Sequence, residues 1–364
     1  MMDNQNISCH QLGIMSAILI LTLKFTNLPA LLFEINGIGG VITIITIFLL
    51  NFLFIGIVIW LKSKYKSESF YTILSRNIGS IFTKILYIIF FLFFISKILS
   101  LLSDSFGFIR DVADEEFTAF NFLICFAPVC LALAKSGIKN IGRTAEFFFP
   151  YIMVGLAISI LLSFVPVDIW GVGNQLKGTF SGFFRSLTDL AFWNGDLFAL
   201  LIFIDKIKIK KGEAKRIIIP FVVMGILLVG TYAVYYSLYQ QTSVFHTNML
   251  YDIVQYAIGT SSGWHMDIFA IIVFSICVVI QGGIIIYCAN DCLKKIFNFE
   301  NDNITLFAIV LLLVFDDYLF LDDYFEFVVY AKVYLSWFAT IILILVPLLL
   351  TFIALKRSNK DARC

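Results

Sequence analysis

Histidine is scarce in this 364-residue chain, where His10, His246 and His265 are the only three, and none falls at the middle of an apolar run. HExxH, GxSxG and glycine-rich phosphate loops are missing too, so the sequence carries no common signature of a metalloprotease, serine hydrolase or nucleotide enzyme. No enzymatic activity is expected. Charged residues make up only 14% with a net charge of +1, so nothing points to nucleic acid as a partner. The seven cysteines are odd in number, with Cys125, Cys130, Cys277 and Cys288 within or at the ends of apolar runs and Cys9, Cys292 and Cys364 near the predicted inner side, so no disulfide framework is expected. The acidic residues Asp316, Asp317, Asp322, Asp323 and Glu326 lack the spacing of a calcium loop. Neither a metal nor a cofactor is therefore anticipated. The tail MMDNQNISCHQLG has no Lys or Arg and no small-residue cleavage site, so no removable signal peptide is expected.

What the chain has in excess is apolar surface: 60% of its residues are hydrophobic and its mean hydropathy is +0.94. That is the composition of an integral membrane protein. A hydrocarbon core about 30 Å thick needs about 20 apolar residues per helix. Ten such runs occur, near 10–33, 40–61, 81–102, 117–134, 147–165, 184–204, 217–238, 267–287, 304–321 and 328–355. They predict an all-α membrane protein of ten transmembrane helices forming a single domain. Alternate connections hold nineteen Lys and Arg against four, and the poorer set contains the acidic runs 111–116 and 316–326. Positive charge is retained on the cytoplasmic side, so both termini are predicted to be cytoplasmic. The basic KIKIKKGEAKR after the sixth run is an orientation signal, with contact to membrane lipid as its alternative. NMLYDIVQYAIG, in the longest outer connection, has the spacing of a short amphipathic helix.

Ten spans divide into five and five, and an odd number per half inverts the second half relative to the first. Such 5+5 inverted repeats are a transporter architecture whose sites form at discontinuous helices in corresponding positions. Spans one and six correspond, and both are interrupted. Span one carries Lys24, Thr26, Asn27 and Pro29 near its middle, and proline removes a backbone donor there. Span six carries Trp193-Asn194-Gly195-Asp196. Glycine is expected to supply permissive dihedrals, and Asn194 and Asp196 to cap a second half-helix. The alternative is a continuous helix whose Asn and Asp face a neighbour.

Charge at membrane depth is costly and marks candidate sites. Lys24, Asp189 and Asp196 are such charges. One reading is a structural ion pair between Lys24 and either aspartate. The other is a ligand site at Lys24, Thr26, Asn27, Trp193, Asn194, Gly195 and Asp196, where helix ends face a carboxylate-bearing ligand and the ammonium compensates it. Lys97 is expected to snorkel toward the outer surface. Gln281, beside Gly282-Gly283, is read as helix packing or pocket lining. Arg143 and Glu146 form an i,i+3 pair that neutralises itself.

The opening ISCHQLGIMSAILIL with Pro29, the inner-loop stretch SGIKNIGRTAEFFFP ending at Pro150, and the ten-span length are similar to the spore-germination permeases, the B subunits of GerA-type germinant receptors. Gly142-Arg143-Thr144-Ala145-Glu146 with Pro150 resembles that family's Gly-x-x-x-Glu plus proline pattern, which gives Pro29, Arg143, Glu146 and Pro150 structural roles. The chain departs from the pattern at Lys24 and at Phe25-Thr26, where members often carry glycine. The resemblance implies the fold of the amino acid, polyamine and organocation transporter superfamily. It also implies residence in the inner membrane of a spore, action with an A subunit and a lipoprotein C subunit, and sensing of a small nutrient such as an amino acid. A secondary amino acid transporter is the alternative.

Overall fold

A computed structural model describes residues 6–65, 68–112, 118–163, 179–209, 212–246, 248–258, 267–299, 301–320 and 334–361. Helix dominates because backbone amides in hydrocarbon have no water to bond and must satisfy one another. The helices, in chain order, are α1 (Cys9–Leu19), α2 (Leu28–Asn36), α3 (Gly40–Tyr65), α4 (Phe70–Ile78), α5 (Ser80–Val112), α6 (Ala119–Lys135) and α7 (Ile138–Ser163). They continue with α8 (Phe180–Asp189), α9 (Ala199–Ile202), α10 (Lys215–Tyr239), α11 (Met249–Ile258), α12 (Asp267–Phe297), α13 (Asp302–Phe320) and α14 (Ser336–Asp361). Among the described residues, five helical stretches, Leu28–Tyr65, Ser80–Val112, Ile138–Leu161, Lys215–Phe245 and Ala270–Phe297, are long and apolar enough to cross a membrane, and shorter apolar helices occur as well. The protein is a multi-pass, all-helical membrane protein. Residues 321–333, with most of the acidic run after α13, lie outside the described residues.

Local signals set the helix starts. Ser8 accepts from the Gln11 amide while the Gln11 side chain accepts from the Ser8 amide, a reciprocal capping box that opens α1. Ser69, Thr118 and Thr179 cap α4, α6 and α8 through their hydroxyls. Pro29 sits in the first turn of α2, where no backbone donor is needed. Pro150 is absorbed within α7.

The core is built around α1, α5, α10 and α12. Gly13 lets α1 press against α10 so closely that a Cβ there would lie 2.6 Å from the Ile217 carbonyl oxygen. Gly282 and Gly283 do the same for α12 on α6, with Cβ positions 2.8 Å from Cys130 Sγ and 2.9 Å from Leu133. Packing through small residues is how membrane helices gain dispersion contacts without a hydrophobic drive. At the basic end, Ile7 pairs in parallel with Ile207, its amide donating to Lys206 O at 2.9 Å and its carbonyl accepting from Lys208 at 3.1 Å. The entry to α1 is thereby tied to the exit of the α8–α9 segment. No disulfide joins the six described cysteines.

Candidate functional site

Two apolar stretches are interrupted inside the core. Between α1 and α2 the chain makes a single 3-10 turn over Thr22–Lys24, and between α8 and α9 two such turns, Phe192–Asn194 and Asp196–Phe198. Every residue from Thr22 to Leu28 and from Leu190 to Leu201 is buried. Carbonyls released by the first break are satisfied from neighbouring elements: Tyr232 on α10 donates to Lys24 O at 2.8 Å, and Tyr236 to Pro29 O at 2.8 Å. The Met249 amide, at the start of α11, donates to Phe25 O at 2.9 Å. Across the gap, Lys24 Nζ donates to Trp193 O at 3.1 Å. The breaks persist because tertiary partners complete them, as low-dielectric surroundings require.

A cluster of four charges bridges the same region. Asp196 Oδ1 lies 2.9 Å from Lys97 Nζ and Asp196 Oδ2 lies 4.0 Å from Lys24 Nζ, with all three side chains at most 2% exposed. The short Lys97 contact is ionic, its angles falling outside those of a directed hydrogen bond. The Lys97 ammonium also stands 4.6 Å from the Phe192 ring centre and 5.9 Å from that of Phe93. Asp104, two turns further along the same face of α5, accepts from Asn27 Nδ2 at 3.2 Å and from Thr26 Oγ1 at 3.5 Å. Two ammoniums and two carboxylates thus connect α5 to both breaks.

Several sequence expectations change here. Lys97 does not snorkel outward; it turns inward because Asp196 and the phenylalanine faces offer a partner at membrane depth, and it is 1% exposed. Asp189 is not a partner of Lys24, since it pairs with Arg185 one turn earlier at 3.0 Å. Neither Asn194 nor Asp196 caps a half-helix through its side chain. Asn194 Nδ2 donates back to Leu190 O at 2.9 Å, and the Asp196 carboxylate is held by lysines, a stronger attraction than a backbone amide. Gly195 has φ −84° and ψ 4°, an ordinary conformation for any residue. Its role is spatial: a Cβ would sit 2.8 Å from the Phe93 ring. Lys97 and Asp104 were missed as site residues, although their seven-residue spacing, two helical turns on one face, was visible in the sequence.

The remaining candidates divide. Gln281 on α12 is fully buried, and neither side-chain polar atom has a hydrogen-bond partner among the described residues. The same holds for Trp193 Nε1. The residue after Gln281, Gly282, approaches Ile98, the neighbour of Lys97 on α5. Glu146 does not pair with Arg143; it accepts from Gln11 Nε2 at 3.0 Å and lies 4.0 Å from His10 Nε2. Arg143 points away as an exposed residue, because α1 packs on the Gly142 face, where a Cβ would lie 3.3 Å from Gln11. The HQ pair that opens α1 and the G-x-x-x-E stretch of α7 therefore meet in space.

Comparison with known proteins is consistent with this geometry. The family model described as "Spore germination protein" matches residues 6–321. Among solved structures, a Na+-coupled sialic acid symporter in a substrate-bound outward-open state aligns with TM-score 0.62 at 14% identity, covering 86% of this chain and 73% of that one. That likeness is one of fold: a transporter-type helical membrane protein. No curated protein sequence matches the chain.

Proposed function

Because this chain belongs to the spore germination protein family, a permease-type family and not one of enzymes, we propose that it is a nutrient-sensing subunit of a germinant receptor, built on a transporter scaffold. In this reading ten spans form a 5+5 inverted repeat, both termini are cytoplasmic, and the chain resides in the inner membrane of the spore. An A subunit and a lipoprotein C subunit are its partners. The nutrient, an amino acid, binds between the two broken stretches, near Thr26, Asn27, Trp193 and Asp196, with Gln281 on the adjoining helix.

The observation that carries this reading is the balanced buried cluster of Lys24, Lys97, Asp104 and Asp196 spanning both breaks. A zwitterion brings one charge of each sign, so it can exchange with the Lys97–Asp196 pair without leaving a net charge in low dielectric. Its carboxylate would take a lysine and its ammonium an aspartate. The ties between the breaks would then be redistributed, which shifts the population of a second arrangement felt by the partner subunits. The resident ammoniums also supply a fixed positive charge, so a coupling sodium ion is unnecessary.

A second reading, secondary transport of the amino acid by alternating access, is favoured by the structural likeness to a symporter. Two measurements separate them. Spores carrying Asp196→Asn, at unchanged level of the protein, are expected to lose the nutrient response while germinating normally with stimuli that bypass receptors; a normal nutrient response defeats the site. Uptake of labelled amino acids into proteoliposomes holding this chain alone would favour the transporter.

A further inference from the structure

A cavity of about 500 Å³ lies beside the α8–α9 break, walled by α3, α8 and α14. Its rim is formed by Leu50, Leu53, Phe184 and Ile344, each between 51% and 62% exposed on the apolar flank of the helices. Entry is therefore from the hydrocarbon and not from water. The cavity has no charged side chain among its described lining residues, yet it is not wholly apolar. Asn194 lines it, is more than nine-tenths buried, and commits its Nδ2 to Leu190 O, which leaves Oδ1 an acceptor with no partner among the described residues. Asn51 on α3 lines the same space. On α14, Pro347 cannot donate to the carbonyl of Leu343 one turn earlier, and both residues line the cavity. The threonines there are already engaged: Thr340 donates to Ser336 O and Thr188 O, and Thr188 to carbonyls of its own helix.

We propose that this cavity is a lateral site for a single-chain amphiphile with a neutral hydroxyl head, its chain lying against α3 and α14 and its hydroxyl donating to Asn194 Oδ1, which has almost no accessible surface and turns to meet the ligand. An orphan acceptor calls for a donor, since a buried acceptor left alone in low dielectric is costly. Among the described lining residues there is no carboxylate to hold an ammonium head and no lysine or arginine to hold a phosphate or carboxylate. The volume lies at the low end of the range for small-ligand pockets and suits one chain, not two. Occupancy braces the break of the sixth stretch from the membrane side. This goes beyond the nutrient reading, because ligand and route of entry differ and the two sites share only the α8–α9 break.

The test uses the full chain in lipid nanodiscs with a diazirine-bearing decanol as photoprobe. Adducts are expected on α3 near Leu50–Phe54 or on α14 near Thr340–Ile344. Decanol added from water, or monoacylglycerol built into the nanodisc, should compete, and whichever does so identifies the source of the hydroxyl. Decane, lacking the donor, should compete about tenfold more weakly. Asn194→Leu should weaken labelling about tenfold, and Leu343→Trp should abolish it by filling the cavity. Leu343→Phe, a smaller filler, is the companion variant should the tryptophan not fold. Labelling spread evenly over lipid-facing helices, decane competing as well as decanol, failure of both hydroxyl competitors, or full labelling of the folded filler variant would each overturn the proposal.

Discussion

Replacing Lys97 by methionine removes a buried ammonium 2.9 Å from Asp196 and keeps most of the side chain's volume. At an effective dielectric of about 20, Coulomb attraction at that distance is roughly 6 kcal/mol, against roughly 4 for Lys24 at 4.0 Å. Most of this is offset by the desolvation both groups paid on folding, so the observable is the cost of leaving the cluster one ammonium short, with Asp196 and Asp104 sharing Lys24, at most about 3–5 kcal/mol. Asp196→Asn should be costly for the opposite reason, since it leaves two ammoniums facing Asp104 alone. The double variant Lys97→Met/Asp196→Asn retains one charge of each sign, Lys24 and Asp104. It should be less destabilised than the sum of the singles by at least about 2 kcal/mol. Reversible unfolding of the four proteins in mixed micelles measures the cycle. If Lys97 instead snorkelled to the surface, Lys97→Met would stay within about 0.5 kcal/mol of the parent. That result, or a coupling near zero, would refute the cluster and with it the reasoning for a zwitterionic nutrient.

Three further outcomes follow from the geometry. Gly195→Ala should destabilise by about 1–3 kcal/mol, because the Phe93 ring is fully buried and wedged among Phe94, Phe192 and Phe198; unfolding in mixed micelles unchanged from the parent would show that the ring gives way freely. Gly13→Val should cost at least as much, since its side chain meets backbone of α10 and not a movable side chain, and loss of folded protein on size-exclusion chromatography is the readout. On the short helix α11, burial lifts the Asp252 carboxyl to about 6, with His246 at 3.6 Å and the Asn248 amide opposing the shift and Asp111 adding to it. A carboxyl raised on folding binds its proton more tightly in the native state, so its contribution to stability grows as pH falls from about 7 toward 4 and is lost as pH rises through about 6. Protection factors of Met249–Ile258, that is exchange rates divided into the intrinsic rate at each pH, should accordingly be higher at pH 5 than at pH 8, and Asp252→Asn should flatten the difference; equal pH dependence of protection in the variant would remove Asp252 as the cause.

Much of the architecture follows from the sequence alone, because hydrocarbon imposes a length on every helix and forbids unsatisfied backbone. Runs such as 81–102 and 217–238 therefore declare themselves, and the interruptions at Lys24–Pro29 and Trp193–Asp196 stand out as exceptions needing a partner. Composition also yields the membrane class, and the HQ and G-x-x-x-E stretches that meet at the α1–α7 contact carry the family resemblance.

What only the tertiary structure decided is where each polar group turns. A lysine at the depth of Lys97 can reach the surface or the core, and the choice depends on which face of α5 meets Phe192 and Asp196, a matter of packing that no local pattern encodes. The same packing gave Asp189 to Arg185, drew Asp196 away from a capping role, made Gly195 a space for Phe93, and left Asn194 facing a cavity formed by three helices far apart in sequence. Helix formation is a local settlement between backbone and solvent, whereas pairing of buried charges is settled between elements only once they have come together.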